Sequence, residues 1–217
     1  MELYVYSSDM VLQGIVEKIA SLIWTRRYWT CGEFKLLVPF TEEHSRMLVK
    51  NNIIMKTLNY IKLNESGVAN VVSALHQLLA DFQVYYTNLR GFHWNIKGHG
   101  FFVLHEKFES MYDDAAEKVD EIAERILMLG GVPENKFSEY LKVAKIKEVS
   151  DVACGSDAVS NILETYGYLI GEERKIIELA NEAGDDVTAD LMTGYLKEQE
   201  KMVWMLVAFS TKGCTDK

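Results

Sequence analysis

The chain has 217 residues, 48% apolar and 25% charged, with a formal charge of −9, the make-up of an ordinary soluble globular protein. Residues 1–54 carry equal numbers of acidic and basic side chains, so the whole deficit lies in 55–217. That body repels nucleic-acid phosphate and suits cations as ligands. The apolar run that ends at Phe209 is far too short to cross a bilayer. Three scattered cysteines, Cys31, Cys154 and Cys214, form no CxxC pair. They fit a reducing compartment better than a disulfide framework or a thiolate metal site. Met1 is followed by Glu2, without the basic start or cleavage site of a secretory leader, so a cytoplasmic location is expected.

Residues 1–54 read as β structure. "ELYVY" alternates, "SSD" turns, and "MVLQGIVE" follows as a hairpin partner. "SLIWTRRYW" and "EFKLLVPF" form a second pair, joined around Thr30 to Gly32. Met55 stands where the pattern changes and would serve as a translation start. The chain reads as a β-rich fragment, 1–54, joined in frame to a helical protein, 55–217. A single α+β domain is the alternative, disfavoured because short strands bury little surface alone.

From about Ser66 the apolar period is that of helices. Val68, Val71, Val72, Leu75, Leu78, Leu79, Phe82, Tyr85, Tyr86 and Leu89 recur at three- and four-residue steps up to Trp94. "KGHG" (Lys97 to Gly100) breaks this first helix. A second is expected from about Phe102 to Leu129, stopped by "GGVP". "KFSEYL" suggests a short helix in the long connection that follows. A third helix is expected from Ser156, which can cap it, to Ala183, and a fourth from about Asp185 to Ser210. Four long helices with one extended connection predict an all-α four-helix bundle behind a small β-rich appendage. Trp204, in "VWMLVAF", reads as part of a core stripe.

Chemistry concentrates in "GFHWNIKGHGFFVLHEKFE", Gly91 to Glu109, which holds three of the five histidines. His105 and Glu109 are four apart on the second helix, as are Asp120 and Glu124. At 100° per residue the four share a stripe about 100° wide. Imidazole and carboxylate together suit iron or another first-row divalent ion. The fifteen residues from His105 to Asp120 span about 22 Å of helix, too far for one site in one chain. In a two-fold dimer with this helix antiparallel to its mate, each pair would face the other and make two identical sites. His93 could join the first pair across the glycine break. The alternative is a solvated face whose carboxylates are bridged by Lys107 and Lys118. A di-iron site inside one bundle uses Glu-x-x-His on two helices, and no Glu here is followed by His three positions on. His99 reads as a turn residue, and His76 and His44 as structural or solvent-facing.

"FHWNIKGHGFFVLHEKFE" followed by "YDDAAEKVDEIAERI" resembles the signature of Dps proteins, the ferritin-like mini-ferritins, over Met55 to about Phe209. The resemblance implies a ferritin-like four-helix subunit, with a short helix between helices 2 and 3, assembled as a hollow dodecamer built from two-fold dimers. It implies oxidation of Fe(II), preferably with hydrogen peroxide but also with O2, and storage of Fe(III) mineral. It places ferroxidase ligands on His93, His105 and Glu109 of one subunit and Asp120 and Glu124 of its mate. Glu109 stands where the family more often has Asp. Trp94 matches a tryptophan that the family sets beside the iron. Asp186 and Asp190, in "NEAGDDVTAD", match acids lining three-fold pores that admit iron; a further pore position is Asn181 here.

Family members that bind DNA well use a lysine-rich terminus, whereas this chain offers Lys56 and Lys62 at one end and Lys212 and Lys217 at the other. Direct DNA binding is therefore expected to be weak or absent, although a nucleoid-binding structural protein is the competing function. No membrane partner is expected. "MELYVY", "LIWTRRYW" and "GEFKLLVPFTEE" resemble the start of a siphophage tail or baseplate protein, which suggests a fusion that contributes no chemistry.

Overall fold

The computed structural model describes residues 3–6, 12–16, 21–25 and 33–37, and then 57–211. Cys31, His44, Met55, Lys56, Lys212, Cys214 and Lys217 lie outside the described residues. The chain divides into two compact units, Met1–Lys56 and Thr57–Lys217. In the first, β1 (Leu3–Tyr6) pairs antiparallel with β2 (Leu12–Val16), Leu3 opposite Val16, with a register irregularity at Val5/Tyr6. β3 (Ser21–Thr25) pairs antiparallel with β4 (Glu33–Leu37), Ser21 opposite Leu37. The two hairpins are the pairs that the alternation predicts, and they form separate sheets.

The second unit opens with a short helix that the sequence pattern did not reveal, α1 (Thr57–Ile61), whose Leu58 is buried against the turn at Gly130. The four long helices are α2 (Glu65–Asn95), α3 (Phe101–Met128), α5 (Gly155–Ala183) and α6 (Asp186–Ser210). The short α4 (Phe137–Val143) lies in the long connection. Asn64 caps α2: its Oδ1 accepts the Ser66 backbone N–H at 2.9 Å. Of the ten apolar positions read on α2, all but Val72 and Tyr86 are buried, and those two pack against the core edge.

Two expectations need correction. Cys154, not Ser156, occupies the N-cap of α5, and its side chain makes no capping bond. Trp204 is 68% exposed and not part of the core. The buried line of α6 runs through Met192, Tyr195, Gln199 and Leu206. Trp204 is two residues, about 200° of helix, from Leu206, which carries it to the outer face. Among the described residues no helix is long and apolar enough to cross a membrane.

Close contacts fix the topology. Lys97 donates its backbone N–H to Ala153 at 3.1 Å, and a Cβ on Gly155 would stand 2.5 Å from Leu104 Cδ1. The start of α5 therefore lies beside the α2–α3 turn. Its end, at Ala183, lies against Gly67 at the start of α2. α5 thus runs parallel to α3, and the connection between them must travel the length of the bundle. Two buried residues of α2 hold it there. Asp81 Oδ1 accepts the backbone N–H groups of Lys145 (2.6 Å) and Ile146 (3.0 Å), while its Oδ2 accepts Gln77 Nε2 and the Tyr168 hydroxyl, each at 2.9 Å. Two turns on, Asn88 donates to Lys147 O at 2.8 Å and accepts from Val149 N at 2.9 Å.

The far corner is closed by a buried ion pair. Asp185 caps α6, accepting from Thr188 N at 3.1 Å and Thr188 Oγ1 at 2.5 Å. Arg125, near the end of α3, donates through Nη2 to Asp185 at 2.5 Å and through Nε to Thr188 Oγ1 at 2.8 Å. Replacing Arg125 with Met leaves the Asp185 carboxylate buried without its cation and is expected to cost about 3–5 kcal/mol in chemical denaturation. Adding Asp185→Asn, which keeps a capping oxygen, should recover part of that loss.

Deeper in the bundle, Glu173 of α5 is fully buried and accepts Gln199 Nε2 of α6 at 2.5 Å. Glu173 Oε2 and Gln199 Oε1 have no partner among the described residues. Both are acceptors while Glu173 is ionised, so a proton on Oε2 supplies the missing donor. Burial pushes this carboxyl up to about 8, against the pull of Gln199, Lys118 and Arg174. A raised acid holds its proton in the folded chain after the unfolded chain has lost it. Stability from this group is therefore full below the ordinary value of 4.5, falls as pH rises toward 8, and then levels. Relative to Glu173→Gln, the natural chain should lose up to about 1.4 kcal/mol per pH unit across that window. Thermal melts of both across the window check this; parallel curves would contradict it.

Candidate metal centre

The α2–α3 turn is built from two residues that tolerate left-handed backbone: Gly98 at φ 87° and Gly100 at φ 91°. Gly100 is the N-cap of α3, and Phe101 donates its backbone N–H to Gly98 O at 3.1 Å. The turn is tight enough to set the end of α2 against the first turns of α3. It brings His93 onto His105.

The two imidazoles stack, with centroids 3.8 Å apart and planes 20° from parallel. His93 Nδ1 lies 2.8 Å from His105 O, and His105 Nδ1 lies 2.9 Å from His93 O. A carbonyl oxygen only accepts, so both Nδ1 atoms carry the hydrogen. In the neutral rings both Nε2 atoms are then lone-pair donors, the tautomer a metal ligand needs. Phe101 lies near-parallel to His105 at 5.0 Å and 23°, and Tyr112 presents an edge geometry to His93 at 5.4 Å and 85°. Burial, then the Glu109 and Asp113 carboxylates, push the Tyr112 phenol up.

Glu109, Asp120 and Glu124 are exposed, and no lysine or arginine pairs with them among the described residues. The lysine-bridged face is not what forms. Lys118 turns inward to Asp114 at 2.5 Å and Glu198 at 2.7 Å, with its ammonium 5.0 Å from the Tyr195 ring centroid. Within one chain, no group of three or more His, Cys, Asp or Glu side chains that could hold a metal occurs among the described residues. The fold brings His93 and His105 together and leaves Asp120 and Glu124 more than three turns down α3.

Trp94 is 62% exposed and lies under the Arg90 guanidinium at 4.6 Å. Asp186 and Asp190 are exposed in the first turns of α6, whose start the Arg125–Asp185 pair fixes; Asn181 is exposed at the end of α5. His99 is exposed in the turn. The rings flanking the imidazoles, Phe101 and Tyr112, were missed in the sequence. Their spacing from His105, four residues before and seven after, is the helical signal that could have found them.

Comparison with known proteins places this geometry in a family. The family model for a ferritin-like domain matches residues 72–213, and that for a Siphovirus ReqiPepy6 Gp37-like protein matches residues 2–73, past Met55 and into α2. A DNA protection during starvation protein of Porphyromonas gingivalis is 59% identical over 157 residues, covering 72% of this chain and 99% of that protein. DNA protection during starvation protein 2 of Bacillus anthracis is 42% identical, covering 64% and 95%. The crystal structure of a Dps protein from Vibrio cholerae, described as a member of a broad superfamily of ferritin-like diiron-carboxylate proteins, is 46% identical. It superposes with a TM-score of 0.68 over 69% of this chain and 94% of that one. Dps from Staphylococcus aureus is 36% identical, with a TM-score of 0.64 over 66% and 97%. Behind its Gp37-like front end, this chain belongs to the Dps family of ferritin-like proteins.

Proposed function

We propose that the protein is an iron-storage and detoxification enzyme, a ferroxidase whose substrate is Fe(II) and whose cargo is ferric mineral held in a hollow dodecamer. The observation that carries this reading is the exchange of Nδ1–H···O=C bonds between His93 and His105, which leaves two imidazole lone pairs side by side. Glu109 of the same chain, with Asp120 and Glu124 of a two-fold mate, completes a mixed nitrogen and oxygen set suited to a first-row divalent ion. The three carboxylates are exposed and carry no ion pair among the described residues, so no salt bridge must break before they take up a cation.

The chemistry is a two-electron reduction of hydrogen peroxide, preferred here over O2. Two ferrous ions give up one electron each, the O–O bond breaks, and two protons complete two waters, so no hydroxyl radical is released. The carbonyls that hold the two Nδ1 protons leave Nε2 as the nitrogen each imidazole would offer to iron, while the carboxylates would offset the ferric charge. Trp94, the residue after His93 near the end of α2, is in this reading the tryptophan set beside the iron. Asp186 and Asp190, fixed at the α6 corner, line the three-fold pore through which iron enters. Residues 1–54 are a fused fragment that takes no part in the chemistry, and the protein works in the cytoplasm.

Complementation tests the shared site. His93→Ala/His105→Ala and Asp120→Ala/Glu124→Ala chains should each assemble but oxidise Fe(II) slowly, read as ferric absorbance after peroxide. Dissociated, mixed in equal amounts and reassembled, they should regain about a quarter of wild-type sites, because each hybrid dimer contains one intact site. No recovery on mixing would contradict a site shared between chains.

The competing function, a nucleoid-binding structural protein, draws on the names of the relatives. The charge of −9 carried by 55–217 opposes it. A gel shift at moderate salt is expected to show no retention of duplex DNA; tight retention would favour the competing reading.

A further inference from the structure

The half-site contains two imidazoles whose ring rotation decides whether Nε2 is available. Each is held by one hydrogen bond to a backbone carbonyl, and both rings are only partly buried, so water competes for those carbonyls. A ring tilted about its Cβ–Cγ bond out of its present plane would lose its carbonyl bond and swing its Nε2 lone pair away. A flat neighbour packed on the ring face opposes that tilt.

Phe101 is placed to do so. It is the first residue of α3, tied by its own N–H to Gly98 in the glycine turn, and half-buried. Four residues later on the same helix, His105 lies against its ring, so the His105 imidazole has near-parallel neighbours in both His93 and Phe101. The adjacent Phe102 is 84% exposed and meets Phe101 edge-on, 5.3 Å between centroids, without touching either imidazole.

We propose that Phe101 is a positioning residue of the metal half-site, its ring locking the rotation of His105, and through the stack that of His93, so that both Nε2 lone pairs remain presented. This rests on the metal reading above. Phe101 touches neither substrate nor reacting atoms; it acts through His105. The sequence of dependence is the glycine turn, then Phe101, then His105, then His93.

The test uses full-length assembled protein and Co(II), whose visible spectrum reports ligand geometry. Phe101→Leu keeps apolar volume but removes the flat ring; Phe101→Tyr keeps the ring. Phe101→Leu is expected to weaken Co(II) binding about tenfold and alter the spectrum, as loss of an orienting neighbour does. It should also raise the Fe(II) concentration for half-maximal oxidation while leaving the maximal rate nearly intact. Phe101→Tyr should restore all three readouts. Native mass and thermal melting confirm assembly, and Phe101→Met stands in if Leu disturbs it. A Leu or Met variant with wild-type affinity and spectrum overturns the positioning role alone. Wild-type protein that binds no Co(II), or binds it unchanged in His93→Ala/His105→Ala, overturns the metal reading instead.

Discussion

The architecture depends on one buried carboxylate. Asp81 sits in the middle of α2, fully removed from water, and takes four hydrogen bonds, two of them from the backbone of the chain crossing from α3 to α5. A connection that runs the length of a bundle exposes backbone donors to an apolar wall, and those donors need acceptors. Asp81 and Asn88 supply them from a helix already fixed by its own core face. With the connection pinned, α5 must start beside the α2–α3 turn, and α6 must return from the α3 end. The ferritin-like single crossover follows from where two polar side chains are buried in an otherwise apolar helix.

The end of the bundle where the crossover finishes carries the proposed half-site, and the two are mechanically related. The turn that holds His93 against His105 is bonded through Lys97 to Ala153, the last stretch of that crossover. Gly155 allows α5 to approach Leu104 so closely that a Cβ there would force Leu104 Cδ1 to shift. The imidazole pair is therefore set on two rigid helices braced by a third, which suits a site that must hold ligand geometry within a fraction of an ångström.

Much of this is written in local pattern. The 3.6 period of α2 named its buried face, and glycines marked both ends of the α2–α3 turn. The four long helices fall within a residue or so of where periodicity and caps set them. What stayed hidden depends on contacts distant in sequence. α1 is too short to carry a period, and its Leu58 is buried by a turn more than seventy residues later. Lys118 looked available to the carboxylates beside it on α3, but Asp114 and Glu198, the latter eighty residues on, draw it inward. Trp204 was misread because eight apolar residues in a row, Met202 to Phe209, cannot all face one side of a helix. For the site, the fifteen-residue spacing was legible as an argument about length, whereas the locked tautomers needed the folded turn.

Lys118 has a consequence for how the subunit keeps its shape. Its ammonium is the cation that joins Asp114 of α3 to Glu198 of α6. Because that cation is part of the polypeptide, it cannot be chelated, exchanged or oxidised. This positive charge does not vary with metal supply. A subunit whose proposed cargo arrives and departs with conditions can thus remain folded whether full or empty, its interior indifferent to the ion it handles at its surface.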